Sequence, residues 1–207
     1  NAVLGRVNSF FSRWVDFVAC GMILKNPPEK VLLEYTGNPV RKEILKRKEM
    51  SHDYVFPESG KLNLLIIGGS QGAGIFSSVV PNAIAILPVK IIRRLVIYHQ
   101  ARPEDHISLK KQYEKIKVGA TIKSFFENIG ELMFKSHLVI ARAGASTIAE
   151  LTIAGRPSVL VPLPSALMNH QTLNSESLSS VGGTITMPQQ NITAKKLKIE
   201  IENLSKK

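Results

Sequence analysis

The stretch LNLLIIGGSQGAG, Leu62 to Gly74, decides how the rest of the chain is read. Six residues of strand length, almost all apolar, run into a loop holding four glycines, one serine and one glutamine. A run that is continuously apolar rather than alternating suits a strand buried on both faces. Such a strand ending in a glycine loop that opens a helix leaves backbone N–H groups unpaired and pointing outward, where the helix dipole favours an anion. Glycines let a phosphate approach the main chain closely, and Ser70 adds a hydroxyl donor. The same residues also suit a plain tight turn from strand to helix. Two familiar phosphate loops are excluded. No GK[ST] follows, and the spacing is not G-x-G-x-x-G. The next apolar stretch, IIRRLVIYHQ, carries Arg93 and Arg94 and ends without an acid placed for a ribose, which argues against NAD.

Outward from this stretch the chain alternates. Helices are expected over about 73–87, 104–116, 129–136, 147–154 and 170–180, with a Lys-rich helix at the end. Strands are expected at IIRRLVIYHQ, ATIKSFF, HLVIARAG, PSVLVPLP and GTITM. Repeated strand–helix–strand units imply the α/β class: a parallel sheet with helices on both faces. In such sheets ligands sit beyond the carboxyl ends of the strands, at the switch point. Upstream, Val3, Val7, Phe10, Trp14 and Phe17 recur at helical spacing, so residues 1–18 read as one amphipathic helix, packed on a domain or lying on a membrane surface. NPPEK at 26–30 breaks the chain, VLLEYTGNP reads as a short strand and turn, and RKEILKRKEM at 41–50 as a basic helix.

The 207 residues carry 27 Lys and Arg against 16 Asp and Glu, a net charge of +11. That balance favours an anionic partner: a phosphorylated metabolite, an acidic lipid surface or nucleic acid. Nothing resembling an RRM, a KH domain or a zinc pattern supports nucleic acid, and none is expected as a partner. Cys20 is the only cysteine, which excludes an internal disulfide and a CxxC metal site and fits a reducing compartment. Asp occurs only at 16, 53 and 105, so there is no Asp-x-Asp pair to hold Mg²⁺ against phosphates. The five His residues show no ligand spacing, and no metal or cofactor is expected. No apolar run reaches the roughly 20 residues of a membrane span. The chain begins at Asn1 rather than Met, so it is expected to start inside a longer protein.

Four further loops carry candidate chemistry. In ARAGASTIAEL, Ala141 to Leu151, a second small-residue loop enters a helix. Thr147-Ile148-Ala149-Glu150 matches a capping box; alternatively the Glu150 carboxylate accepts the two hydroxyls of a ribose. In SFFEN, 124–128, one of Phe125 and Phe126 packs in the core and the other could flank a base ring. NHQ at 169–171 offers amide and imidazole groups to sugar hydroxyls, or simply starts a helix. Arg41, past the turn in GNPVR, suits a diphosphate.

Together NAVLGRVN, TGNPVR, IIGGSQGA, ARAGASTIAEL and VPLP…NHQTLN, in this order, resemble the MurG family of bacterial glycosyltransferases over nearly the whole chain. Members move N-acetylglucosamine from UDP-GlcNAc onto lipid I, giving lipid II of peptidoglycan synthesis. The resemblance implies a two-domain GT-B enzyme: residues 1–36 would be the end of the acceptor domain and linker, and 37–207 the Rossmann-like, donor-binding half. It implies that Glu150 holds the ribose, that the Phe126 main chain reads the uracil edge, and that Ser70 and Arg41 meet the diphosphate. Ala145, Ser146 and Thr147 would line the nucleotide site, His170 and Gln171 would bind the GlcNAc hydroxyls, and Asn1 would lie near the donor sugar. The family's first glycine-rich loop, with its general base, lies upstream, so no catalytic residue is expected in this chain, which alone should bind donor weakly and not turn over. Two positions depart from the family: Ala143 stands where many members have Ser, and His170 where many have Gln or Asp. The resemblance further implies an inverting, metal-free displacement, and peripheral attachment to the anionic cytoplasmic face of the bacterial inner membrane. A UDP-sugar transferase with another acceptor, or a non-catalytic nucleotide-sugar-binding module, is the alternative.

Overall fold

The computed structural model describes residues 1–50, 54–69, 73–164 and 169–204. Its centre is a six-stranded parallel sheet. The strands are β3 (Leu62–Ile67), β4 (Leu95–Gln100), β5 (Gly119–Lys123), β6 (Leu138–Ala141), β7 (Ser158–Leu160) and β8 (Thr184–Thr186). They lie in the order β5-β4-β3-β6-β7-β8. Two strands consecutive within the sheet's winding, β5 and β6, thus fall on opposite sides of β3, and the switch point lies between β3 and β6. That is the doubly wound order in which dinucleotides and nucleotide sugars bind at the strand ends.

The apolar run of β3 does what its sequence predicts. Leu64 and Ile66 face one layer of helices, and Leu65 and Ile67 the other. On the first face lie α3 (Gly74–Ala85), α5 (His106–Ile116) and α9 (Ala194–Leu204), which contribute Phe76, Val80, Leu109, Tyr113, Leu197 and Ile201. On the second lie α2 (Lys42–Met50), α6 (Ile129–Lys135) and α7 (Ala145–Ala154), which contribute Ile44, Leu132, Met133, Ile148 and Leu151. Each fully buried side chain of this size contributes roughly 1.5–3 kcal/mol. The helix α8 (His170–Ser179) follows β7. α7 stops at Gly155, whose φ of +60° suits the left-handed cap and lets its N–H reach the Leu151 carbonyl at 2.9 Å.

Two expected elements differ. The stretch IIRR does not begin a strand: α4 (Val89–Ile92) is one helical turn after Pro88, and β4 starts only at Leu95. A strand buried on both faces has no room for arginines. Arg94 instead donates to the carbonyls of Gly60 (2.7 Å) and Pro57 (2.6 Å), tying down the lead-in to β3. The single helix expected over 1–18 is also broken. α1 covers Arg6–Phe11, a 3₁₀ turn covers Ser12–Trp14, and Phe17 begins a strand, β1 (Phe17–Cys20). The Ser12 hydroxyl bonds back to the Ser9 carbonyl at 2.9 Å, a local alternative to continuing the helix. α1 buries none of its residues, and Phe10, Phe11 and Trp14 remain exposed, clustered with one another. β1 pairs in parallel with β2 (Leu32–Tyr35) as a sheet of its own, and Gly37, at φ +73°, follows the Thr36 N–H to Cys20 carbonyl bond that closes it.

Candidate functional site

The site is built where β3 and β6 end. After β3 comes the glycine loop. Gly68 and Gly69 are described, whereas Ser70 lies outside the described residues. Gly69 has φ +80°, a conformation costly to any residue with a Cβ, although no atom of the described residues would crowd one there. After β6, Gly144 caps α7, so that Ala145, Ser146 and Thr147 are its first three helical residues. Their N–H groups have no partner within the helix, which makes this end a donor surface toward the switch point. Thr147 therefore sits inside the first turn and not at the cap, and Gly144 makes no side-chain cap bond. The capping-box reading of Glu150 is overturned: the helix begins three residues too early for it.

Glu150 instead stands in the second turn of α7, 6% exposed. It is held bidentately by Arg41, whose Nε donates to Oε1 at 2.6 Å and whose Nη2 donates to Oε2. The hydrogen bond to Glu150 raises the Arg41 pKa above its ordinary value, against the opposing effect of burial. The sequence assigned these two residues to different parts of a ligand; the fold joins them across 109 positions. The pairing leaves capacity on both sides. A carboxylate has about four acceptor sites and a guanidinium five N–H donors, and this contact uses two of each.

The amino-terminal segment reaches the same end of the sheet. Asn174, fully buried in α8, accepts from the Ala2 N–H at 2.8 Å and donates to Asn1 Oδ1 at 3.0 Å and to the Ala143 carbonyl at 3.2 Å. One amide thus connects Asn1, the β6–α7 loop and α8. A bond from Lys25 to Glu176 at 2.9 Å reinforces the docking. At the start of α8, Gln171 accepts from the Leu163 N–H at 3.0 Å, and the buried Nε2 of His170 has no partner among the described residues. Of the two phenylalanines, Phe126 is the core residue, 4% exposed and edge-on to Tyr98, and Phe125 is exposed.

Three polar residues escaped the sequence reading. Arg142, in the ARAG motif, is engaged within the fold. It donates to the carbonyls of Val161 and Pro162 and to Gln189, and stacks over Phe76, binding the β6 and β7 exits together. Arg102 lies over the amino end of α3: a Cβ on Gly74 would come within 2.5 Å of its Nη2. Gln100 closes β4, with its amide turned to two neighbouring loops. A polar residue ending or just following a buried strand was the available signal for Gln100 and Arg142. A separate cavity of about 460 Å³, lined in part by Tyr54, Arg156, Ser158 and Thr184, lies at the opposite, amino ends of β7 and β8.

Residues 63–207 match the glycosyltransferase family 28 C-terminal domain, a span that takes in the six-stranded sheet from the second residue of β3 onward. The chain belongs to glycosyltransferase family 28. Among its relatives, the UDP-N-acetylglucosamine--N-acetylmuramyl-(pentapeptide) pyrophosphoryl-undecaprenol N-acetylglucosamine transferase of Paramagnetospirillum magneticum is 42% identical, over 99% of this chain and 56% of the relative. The protein of the same name from Zymomonas mobilis is 39% identical, over 99% of this chain and 54% of the relative. This family 28 chain therefore spans about half the length of the curated relatives it matches. The crystal structure of Acinetobacter baumannii MurG superposes with a TM-score of 0.78 at 29% identity, covering 99% of this chain and 56% of that one. WaaG, a glycosyltransferase of lipopolysaccharide biosynthesis, shares the fold alone, at TM-score 0.53 and 16% identity. The fold is thus the Rossmann-like C-terminal domain of a GT-B glycosyltransferase, as expected.

Proposed function

We propose that this chain is the donor-binding half of an enzyme that transfers GlcNAc from UDP-GlcNAc to the C4 hydroxyl of MurNAc in lipid I, giving lipid II. The observation that carries the reading is the pairing of two features at one switch point. The bare amino end of α7 offers backbone donors to an anion, and the buried Glu150 carboxylate stands one turn further along the same helix. A nucleoside diphosphate presents the complementary pair, a pyrophosphate and a cis-diol. Kinship with family 28, and with relatives named for this transfer, supports the same reading.

In the reaction a base outside this chain takes the proton of the acceptor hydroxyl. Its oxygen displaces UDP from the anomeric carbon with inversion, and negative charge grows on the departing diphosphate. Amides of the β3–α3 loop and of α7, with Ser70 and the spare N–H groups of Arg41, meet that charge. They stabilise the transition state beyond the ground state, in the place a metal takes in Asp-x-Asp enzymes. Glu150 anchors the ribose, the Phe126 main chain reads the base edge, and Ala145 to Thr147 line the nucleotide. Asn1, His170 and Gln171 surround the sugar, brought to one end of the sheet by Asn174.

Residues 1–36 are assigned to the acceptor domain and linker, an assignment supported by the separate β1–β2 sheet. A peripheral position on the anionic cytoplasmic face of the membrane fits the net charge of +11. No helix among the described residues is long and apolar enough to cross a membrane. The test is a donor panel on the complete protein with lipid I as acceptor. UDP-GlcNAc should be turned over in preference to UDP-glucose and UDP-GalNAc. Equal turnover of all three, or none of any, would refute the assignment.

A further inference from the structure

We infer that Gln100 is a positioning residue that sets the distance between the diphosphate loop and the base-reading loop; the inference rests on the function proposed above. Gln100 is the last residue of β4, the strand between β3 and β5, and is 8% exposed. Its Nε2 donates to the Gly69 carbonyl at 3.3 Å on the β3 side and to the Ser124 carbonyl at 3.2 Å on the β5 side. Both partners are carbonyl oxygens, so the nitrogen and not the oxygen of the amide must face them. One side-chain NH₂ thus joins the loops that follow the two strands flanking β4. One is the loop assigned to the diphosphate. The other is the Ser124–Phe126 turn assigned to the base.

The orientation has a second consequence. β4 lies on the opposite side of β3 from β6, so a Gly69 carbonyl turned toward Gln100 is turned away from the switch point. A carbonyl oxygen facing a diphosphate would repel it. Gln100 keeps that oxygen occupied elsewhere, and the positive φ of Gly69 is what lets the peptide take this direction. The residue touches no substrate. It acts through the two loops, and its loss should be felt most by ligands that bridge them.

The test is competitive inhibition of the complete protein by UDP, which spans both loops, and by uridine, which reaches only one. Gln100→Met keeps length and volume and removes the donor; Gln100→Glu turns a carboxylate toward two carbonyls. With two neutral hydrogen bonds at stake, UDP should weaken about tenfold in Gln100→Met and further in Gln100→Glu, while uridine changes less than about twofold. Equal loss for UDP and uridine would reduce Gln100 to a general packing role and overturn the inference, as would no loss for either. Gln100→Met alone decides if Gln100→Glu fails to fold. A wild type that is inhibited by uridine and UDP but shows no selective loss in the variant sinks only the positioning role. A wild type that binds no UDP sinks the proposed function and this inference together.

Discussion

Replacing Glu150 by Gln separates its two contributions, because each has its own readout. The first is to stability. Breaking a fully buried ion pair costs about 3–5 kcal/mol, and breaking an exposed one about 0.2–1 kcal/mol. The Glu150 side chain is 7% exposed and that of Arg41 43%, so the pair falls between these limits and its loss should cost about 1–2 kcal/mol. For a chain of this size that lowers the melting temperature by about 2–8 °C. The second contribution is to binding. Two charge-assisted bonds to a diol are worth about 1.5–3 kcal/mol each. The carboxylate is shared with Arg41, so the lower value applies, and UDP affinity should fall about a hundredfold. Calorimetric titration with UDP and with 2′-deoxy-UDP isolates the diol. The wild type should prefer UDP strongly, and Glu150→Gln should bind both nearly alike. A variant that melts lower yet keeps the full preference for UDP would show that the carboxylate serves only to anchor Arg41, and the ribose assignment would fall.

Other outcomes follow from the same geometry. His99 is fully buried with Nδ1 against the Tyr113 hydroxyl at 2.8 Å, and burial lowers its pKa from 6.5 to about 4. The unfolded chain then binds the extra proton between those values, so about 3 kcal/mol of stability present above pH 6.5 should be lost as pH falls toward 4. Urea unfolding across that range should flatten in His99→Leu, and an equally steep wild-type-like slope would assign the loss elsewhere. Gly69→Ala should cost about 1–2 kcal/mol through backbone strain, since nothing among the described residues would touch the added methyl; unchanged denaturant midpoints would contradict the positive φ. Arg102→Ala removes a cation over the amino end of α3 and should raise the UDP dissociation constant about threefold, by roughly 0.6 kcal/mol; an unchanged constant would exclude Arg102 from the diphosphate's surroundings. Binding to vesicles rich in phosphatidylglycerol should be lost in high salt, and retention there would point to insertion of apolar groups instead.

The centre of the sheet was legible because β3 and β6 are buried on both faces and almost wholly apolar, and could hardly be read otherwise. Once their order of winding was given, the switch point and the loops after Ile67 and Ala141 followed. The amino-terminal segment was misread because periodicity marks an apolar face and not what covers it. Phe10 and Trp14 keep helical spacing yet stay exposed, and Phe17 passes into a strand paired with Leu32. The site was legible as a set of loops but not as a set of contacts. Nothing local tells that Arg41 and Glu150 meet, or that Asn174 ties Asn1 to Ala143. These partners are fixed only when the layers close. Arg142 shows the converse. Its place in a loop at the switch point suggests a ligand for phosphate, and only the packing reveals that its donors go to main-chain carbonyls.

That expenditure bears on how a basic protein holds an anion. Each arginine near the strand ends already has acidic or carbonyl partners: Arg142 binds Val161, Pro162 and Gln189, Arg41 binds Glu150, and Arg102 binds Glu104 and Asp105. The guanidinium charge near the proposed diphosphate is therefore already shared with these partners. What the fold delivers there is a bare helix amino end and a glycine loop in which the Gly69 carbonyl is turned aside by Gln100. Oriented amides are fixed dipoles, already aligned before charge develops, and they need no free counter-charge to work. The other lysines and arginines are left to the rest of the surface, where the membrane face proposed above would meet them at long range. Local dipoles for the leaving group and diffuse charge for the surface on which the acceptor is carried are separable devices.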